Sequence, residues 1–387
     1  MMNYSIYLHI PFCQHRCGYC DFNTYAGLDD LIPAYTRALE VEIRSFSSLP
    51  VHTIFFGGGT PSLLPPSSIA KLLQALGETF DLLPDAEITL EANPGTLSKA
   101  YLKALRATGV NRLSLGMQSS HPQELAMLER THSMDDVINA VNWARDAGFD
   151  NLSLDLIYGL PKQSVDLWEA TLTQALKYSP EHFSLYALTL EHGTPMKHQV
   201  ERGQIPEPDP DVAASMYELA DSRLLSAGYQ QYEISNWAKA PAEVWGSQHN
   251  LQYWRNFPYL GLGAGAHGFA EGSRTVNVLS PQAYIRKLKE NNVDRALSFP
   301  RTLATVSITP IDIETEISET MMMGLRLTHE GISAHAFEAR FDRSLDEVFG
   351  DEIEKLIGLG LLTWNDHALC LTPRGRLLGN QVFMHFV

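Results

Sequence analysis

No run of about 18 consecutive apolar residues occurs in this chain, so no segment reads as a helix that crosses a membrane. The start, Met1 to Tyr7, also lacks the basic patch and long apolar stretch of a secretory signal, and a cytoplasmic protein is the expectation. Cysteine is scarce, with four residues in 387. Three of them, Cys13, Cys17 and Cys20, fall in one short segment, whereas a disulfide framework spreads its pairs along the chain. Basic residues are in deficit, 29 against 45 acidic ones. The net charge of −16 argues against a nucleic-acid partner, whose phosphates need clustered Lys and Arg. Solenoid repeats and low-complexity tracts are absent as well. These exclusions leave an acidic globular protein, long enough for a large body with one or two appendages.

From residue 5 to about residue 190, short β-rich apolar runs alternate with longer amphipathic stretches. Strands are expected at Ser5–Ile10, Thr53–Phe56, Glu87–Ala92, Arg112–Met117, Asn151–Ile157 and His182–Leu190. Helical patterns such as Pro33–Phe46, Ile69–Thr79 and Asp135–Ala147 lie between them. Six such units predict an α/β fold, a parallel sheet curled into a partial (βα)6 barrel with its polar motifs at the carboxyl ends of the strands. The prolines at 206, 208 and 210 set a boundary, because they resist both helix and central strand. The expected division is therefore a barrel over 1–210, an α+β extension over 211–300 and a small helical, winged-helix-like domain over 301–387. That last domain is read from helical patterns at Glu314–Leu325 and Ser344–Leu359 and a hairpin at Leu361–Leu371. In so acidic a chain it reads as a packing or docking element and not as a DNA reader.

The three clustered thiols sit in a loop directly after the first strand, within Tyr7-Leu8-His9-Ile10-Pro11-Phe12-Cys13-Gln14-His15-Arg16-Cys17-Gly18-Tyr19-Cys20. Three soft thiolates bind zinc or iron. A structural zinc site wants a fourth protein ligand, for which His9, His15 or a distant residue would have to serve. A [4Fe–4S] cluster on three thiolates instead leaves one iron open to a ligand. His9 reads as a shaper of the loop, and Cys370, between Leu369 and Leu371, as a small core residue. The second strand runs into Phe56-Gly57-Gly58-Gly59-Thr60-Pro61-Ser62, whose glycines let backbone approach a ligand closely.

The spacing CxxxCxxC with an aromatic before the last cysteine, followed by GGGTP, resembles the radical S-adenosylmethionine (SAM) superfamily. In that superfamily the open iron chelates the amino and carboxylate groups of SAM. Glu91-Ala92-Asn93-Pro94, Leu113-Ser114-Leu115-Gly116-Met117-Gln118-Ser119, Leu128-Glu129-Arg130 and Asp155-Leu156-Ile157-Tyr158-Gly159-Leu160-Pro161 then follow in the order of the coproporphyrinogen dehydrogenase-like group. The resemblance runs through essentially the whole chain. It implies a [4Fe–4S] cluster on Cys13, Cys17 and Cys20, and a SAM held by Tyr7, Gly58, Glu91 and the Ala266-His267 region. It also implies a pocket for a second SAM at Tyr19, Gly59, Thr60, Gln118, Arg130, Asp155 and Ala187. The residue types suit these roles: carboxylates and amides take ammonium and hydroxyl groups, and an arginine meets a carboxylate on two bonds.

One position departs from the dehydrogenases of the group. They carry a further cysteine two residues after the third ligand, where this chain has Phe22. A phenyl ring removes a polarisable thiol and adds apolar bulk, so a second-SAM pocket cannot work in the same way. Cys20-Asp21-Phe22 resembles the heme chaperone branch of the group instead, and so does His249-Asn250-Leu251-Gln252-Tyr253-Trp254, an HNxxYW element implicated there in heme binding. An imidazole can ligate heme iron, Asn250 can orient it or meet a propionate, and Tyr253 and Trp254 can lie against the macrocycle. This resemblance implies a carrier that binds heme and hands it to heme-requiring apoproteins, respiratory ones among them. The cluster and SAM would gate the transfer, with formation of a homodimer or peripheral membrane association as means of control. The competing expectation is an enzyme that cleaves SAM to a radical and acts on a porphyrinogen or another tetrapyrrole. Phe22 and the HNxxYW element disfavour it, and coproporphyrinogen III dehydrogenase activity is not expected.

Overall fold

The first strand, β1 (Tyr4–Ile10), is buried along almost its whole length, which requires an inner position in a sheet covered on both faces. It takes that position in the computed structural model, which describes residues 3–289 and 297–387. β1 pairs in parallel with β2 (Pro50–Gly58) on one side and with Tyr259–Leu262 on the other. β3 (Asp81–Ala92), β4 (Arg112–Gln118), β5 (Asn151–Tyr158) and β6 (His182–Ala187) follow in parallel and in chain order. Helices α1 (Ile32–Ile43), α2 (Pro66–Thr79), α3 (Lys99–Ala107), α4 (Met134–Asp146) and α5 (Val165–Leu176) alternate with these strands. This is the expected partial (βα)6 barrel, although β6 stops at Ala187, short of Leu190.

Period-two alternation divides each strand between two environments. On β4, Leu113, Leu115 and Met117 are fully buried, and each contributes about 2 kcal/mol by leaving water. The alternate positions hold Arg112 and Ser114, as Ser153 and Asp155 do on β5 and His182 and Ser184 on β6. Asp155 accepts hydrogen bonds from Ser114 and Ser153, and Ser153 Oγ is 2.8 Å from His182 Nδ1, so this second set forms one polar network. The helices are started by side chains suited to the task. Ser133 and Asp136 form a reciprocal capping box at α4, while Ser98 and Ser164 cap α3 and α5.

The described chain divides into two compact units, Met1–Ala220 with Pro258–Thr309, and Asp221–Phe257 with Pro310–Val387. The middle stretch expected as one extension over 211–300 is thus shared between them. The reason is pairing: Tyr259–Leu262 joins β1 and continues antiparallel through His267–Ala270 and Ser273–Asn277, so it belongs to the barrel sheet. The hairpin Tyr229–Glu233 and Asn236–Lys239 instead packs with Leu251 and Leu327 in a separate core of the second unit.

Within that second unit, helices Ile313–Gly324, Ala334–Phe341 and Leu345–Gly358 surround a three-stranded sheet in which Ala368–Leu371 is central. Ile317, Met321, Leu325, Phe337, Phe341, Ile353 and Leu369 form its core. The winged-helix-like order of elements is present, and Cys370 is buried there as a core residue. No helix among the described residues is long and apolar enough to cross a membrane.

Candidate functional site

The cysteine loop leaves β1 and is pinned at its base by a short parallel ladder, Phe12-Cys13 with Tyr25-Ala26. Cys13 is buried, Cys17 and Cys20 are half-buried, and all three thiols are free. Burial pushes the Cys13 and Cys20 thiols up, and hydrogen-bond donors act against it: Thr60 Oγ1 lies 3.7 Å from Cys13 Sγ. Arg130 Nη1 lies 3.9 Å from Cys17 Sγ and brings positive charge to the same loop. Among the described residues, no three His, Cys, Asp or Glu side chains converge as the ligands of one ion.

His9 has no ring nitrogen to spare. Its Nε2 faces the Asn23 carbonyl at 2.9 Å and must carry the hydrogen, so Nδ1 accepts from Tyr7 Oη at 3.0 Å. Burial lowers the His9 pKa, which keeps the ring neutral in this role. The glycine run packs directly on this strand end. Gly59 N donates to Ile10 O at 2.8 Å and Thr60 N to Phe12 O at 2.8 Å. A Cβ on Gly59 would sit 2.5 Å from Phe12 O, and one on Gly58, whose φ is +112°, would sit 2.6 Å from the His9 ring. The end of β2 is therefore pressed against the cysteine loop.

Two half-buried carboxylates lie nearby. Glu91 Oε2 accepts from Gly58 N at 3.2 Å, and Asp155 accepts from Ser114 at 2.9 Å and Ser153 at 3.2 Å. Burial raises Glu91 to about 8, with the Asp155 charge adding to it, while the Gly58 amide and Arg112 work in the opposite sense. Burial raises Asp155 too, and its serine donors and Arg112 act against that rise. Arg112 is 2% exposed, and its Nε makes no hydrogen bond but lies 4.0 Å from Glu87 Oε2.

Gln118 ends β4 with a φ of +63°. Arg130 donates from Nη2 to Gly116 O at 3.2 Å, keeps a buried Nε without a partner, and is felt electrostatically by Tyr19. Ala187 is exposed at the end of β6, and exposed His267 opens its strand close enough to His9 for the two rings to interact. The structure thus gathers Tyr7, Gly58, Gly59, Thr60 and Glu91 around the cysteine loop, and Tyr19, Gln118, Arg130 and Asp155 on strands and loops of the same barrel. Sequence reasoning missed Asn23, whose amide ties Ala264 O and Leu279 O to the cysteine loop at 3.0 Å each, and it missed Arg112 and Glu42. None of these stands in a recognisable motif.

The HNxxYW residues form the helix Gln248–Trp254 of the second unit, capped by Ser247. His249 is 1% exposed, and Tyr253, one turn on, meets it edge to face with Nε2 and Oη 2.9 Å apart. Asn250, Tyr253 and Trp254 are half-buried.

A partial (βα)6 barrel with a three-cysteine loop after β1 and a glycine run after β2 defines a radical SAM protein. Residues 7–175 match the Radical SAM superfamily, and residues 311–378 match the HemN C-terminal domain. The heme chaperone HemW of Bacillus subtilis is 39% identical over 99% of both chains. A mouse protein described as radical S-adenosyl methionine domain-containing protein 1, mitochondrial, is 39% identical over 92% of this chain and 81% of its own. Among solved structures, the coproporphyrinogen III oxidase HemN of Escherichia coli, a radical SAM enzyme, superposes with a TM-score of 0.83 at 25% identity, over 100% of this chain and 90% of its own. The chain belongs to the HemW family of radical SAM proteins.

Proposed function

We propose that this protein is a cytoplasmic heme chaperone that binds heme at the helix Gln248–Trp254 and passes it to heme-requiring apoproteins, those of respiration among them. The observation that carries the reading is an intact HNxxYW helix in a chain related over its full length to curated heme chaperones. Cys13, Cys17 and Cys20 hold a [4Fe–4S] cluster, and Tyr7, Gly58, Glu91 and the Ala266-His267 region hold SAM beside it. When bound, the cluster supplies one-electron chemistry and an open iron for the amino and carboxylate groups of SAM. The chain's own part is to keep that ligand oriented: Glu91, held by the Gly58 amide, offers a carboxylate to N–H or hydroxyl donors, and Tyr7 is fixed by His9. SAM at this site gates heme transfer, with dimerisation or membrane association as means of control.

Heme titration of the purified protein, followed by visible absorbance, tests the carrier reading. His249→Ala is expected to weaken heme binding by about tenfold or more and to change the spectrum. Tyr253→Phe, which removes the hydroxyl 2.9 Å from His249 Nε2, retains the imidazole and is expected to bind at least as tightly. Wild-type protein that binds no heme would overturn the reading. In a parallel anaerobic assay with SAM and a reductant, no conversion of coproporphyrinogen III is expected, because exposed Phe22 stands where the dehydrogenases have a cysteine.

Glu91 makes SAM binding depend on pH. Its environment is set by Asp155, Arg112 and Tyr7, and its carboxyl is raised to about 8, so near pH 7 it is mostly protonated before SAM arrives. As a neutral amine on the open iron, the SAM amino group would donate an N–H to Glu91, which favours the carboxylate, so the carboxyl would give up its proton. Affinity is therefore expected to rise with pH, by up to about tenfold per unit, and to level off above about 8. Calorimetry in buffers of different ionisation enthalpy measures the released proton. A Glu91→Gln protein should bind more weakly and lose the slope, and an unchanged slope in that variant would assign the proton elsewhere.

A further inference from the structure

Arg326 carries a charge that the second unit leaves without a close partner. Its backbone is fixed beside the strand Tyr229–Glu233, since Leu327 forms a bridge with Glu233 and Thr328 N donates to Tyr232 O at 3.0 Å. The guanidinium carbon lies 5.0 Å from the ring centre of Trp254 and 5.0 Å from that of Phe383. Nε is buried with no hydrogen-bond partner, and so is the indole Nε1 of Trp254. Among the described residues the Arg326 side chain makes no hydrogen bond and no ion pair within 4.0 Å. The carboxylate that acts on it is Glu233, 1% exposed, with Oε1 taken by the Asn236 amide and Oε2 free. Burial raises Glu233 to about 7, so near neutral pH it is only partly ionised and is a weak counter-ion.

Aromatic contacts offset part of the cost of desolvating a guanidinium. They do not satisfy its N–H donors, whose best acceptor is a carboxylate engaged on two bonds. Trp254 closes the HNxxYW helix, so a ligand lying against that helix meets Arg326 at its edge, and Arg326 is half-buried and not closed off from solvent. We propose that Arg326 is the anion-recognition residue of the heme element and pairs with a propionate carboxylate of the porphyrin. This rests on the heme-chaperone reading above.

The test is a chemical double-mutant cycle. Heme and its dimethyl ester, which lacks the propionate charges, are titrated into wild type, Arg326→Met and Arg326→Lys, with circular dichroism to establish that each is folded. Esterification is expected to weaken binding to wild type by about tenfold to a hundredfold. Arg326→Met should bind heme as weakly as wild type binds the ester and should be indifferent to esterification, while Arg326→Lys keeps part of the discrimination. An equal ester penalty in wild type and Arg326→Met would overturn the proposal, because Arg326 would then matter only for packing. If Arg326→Met fails to fold, wild type and Arg326→Lys decide: no ester penalty in wild type, or an equal penalty in the two, overturns it, and a penalty that shrinks in Arg326→Lys supports it. Wild type that binds heme without discrimination sinks this inference alone, whereas wild type that binds neither ligand sinks the carrier reading with it.

Discussion

Changing Cys13, Cys17 or Cys20 to serine is expected to remove the iron–sulfur cluster almost completely, while Cys370→Ser leaves it at the wild-type level. A serine oxygen is a harder and far less acidic donor than a thiol, so each change removes one of three bonds from a cluster that already has an open iron. The three thiols share one loop, and each has a neighbour suited to a charged sulfur: Thr60 at Cys13, Arg130 at Cys17, and backbone and hydroxyl donors from Phe22 and Thr24 at Cys20. Cys370 belongs to the core of the second unit, with its Sγ 3.8 Å from the His329 carbonyl. Iron and sulfide analysis after anaerobic reconstitution measures the outcome, with about four of each per chain expected for wild type. A full cluster in any one of the three loop variants would remove that cysteine from the ligand set.

The second large effect is expected at a residue remote from the thiols in sequence. Glu42 on α1 is fully buried and accepts from Gly263 N at 2.8 Å, Asn277 Nδ2 at 2.8 Å, Tyr284 Oη at 2.6 Å and Thr302 Oγ1 at 2.7 Å. Its neighbour Tyr35 accepts from Ala264 N at 2.7 Å and donates to His9 O at 2.8 Å. Together the two side chains hang the Gly263-Ala264 loop on the strand that leads into the cysteines. Glu42→Ala strands four donors without an acceptor, and the barrel is expected to lose about 4 kcal/mol. Urea unfolding followed by circular dichroism measures this. Glu42→Gln, which keeps one acceptor oxygen, should fall between the two, and SAM affinity should drop in parallel because the Ala266-His267 region loses its anchor. An alanine variant with the wild-type unfolding midpoint would mean that those donors find other acceptors.

The residues that carry local chemistry were legible in the linear sequence. Cysteines at CxxxCxxC spacing, a glycine run after an apolar strand and six alternations of strand and helix are short-range patterns, each set by neighbours within a few positions. The HNxxYW element was legible only through its resemblance to the heme chaperone branch, and the structure adds that positions 249 and 253 are one helical turn apart and face each other. Glu42 was not. With Glu40 half-exposed and Arg44 exposed on either side, it reads as another solvated charge on α1, and only the arrival of residues more than two hundred positions away turns it into a buried acceptor. The tautomer of His9 rests likewise on the Asn23 carbonyl, and the free charge of Arg326 on two rings from separate helices. The allocation of Tyr259–Leu262 and the strands that follow it to the barrel was decided by which strand edge was left open beside β1. Spacing along the chain encodes what a segment can bind or fold into. Whether a charge is exposed or buried, paired or free, depends on which distant surface covers it, and that is a property of the packed fold.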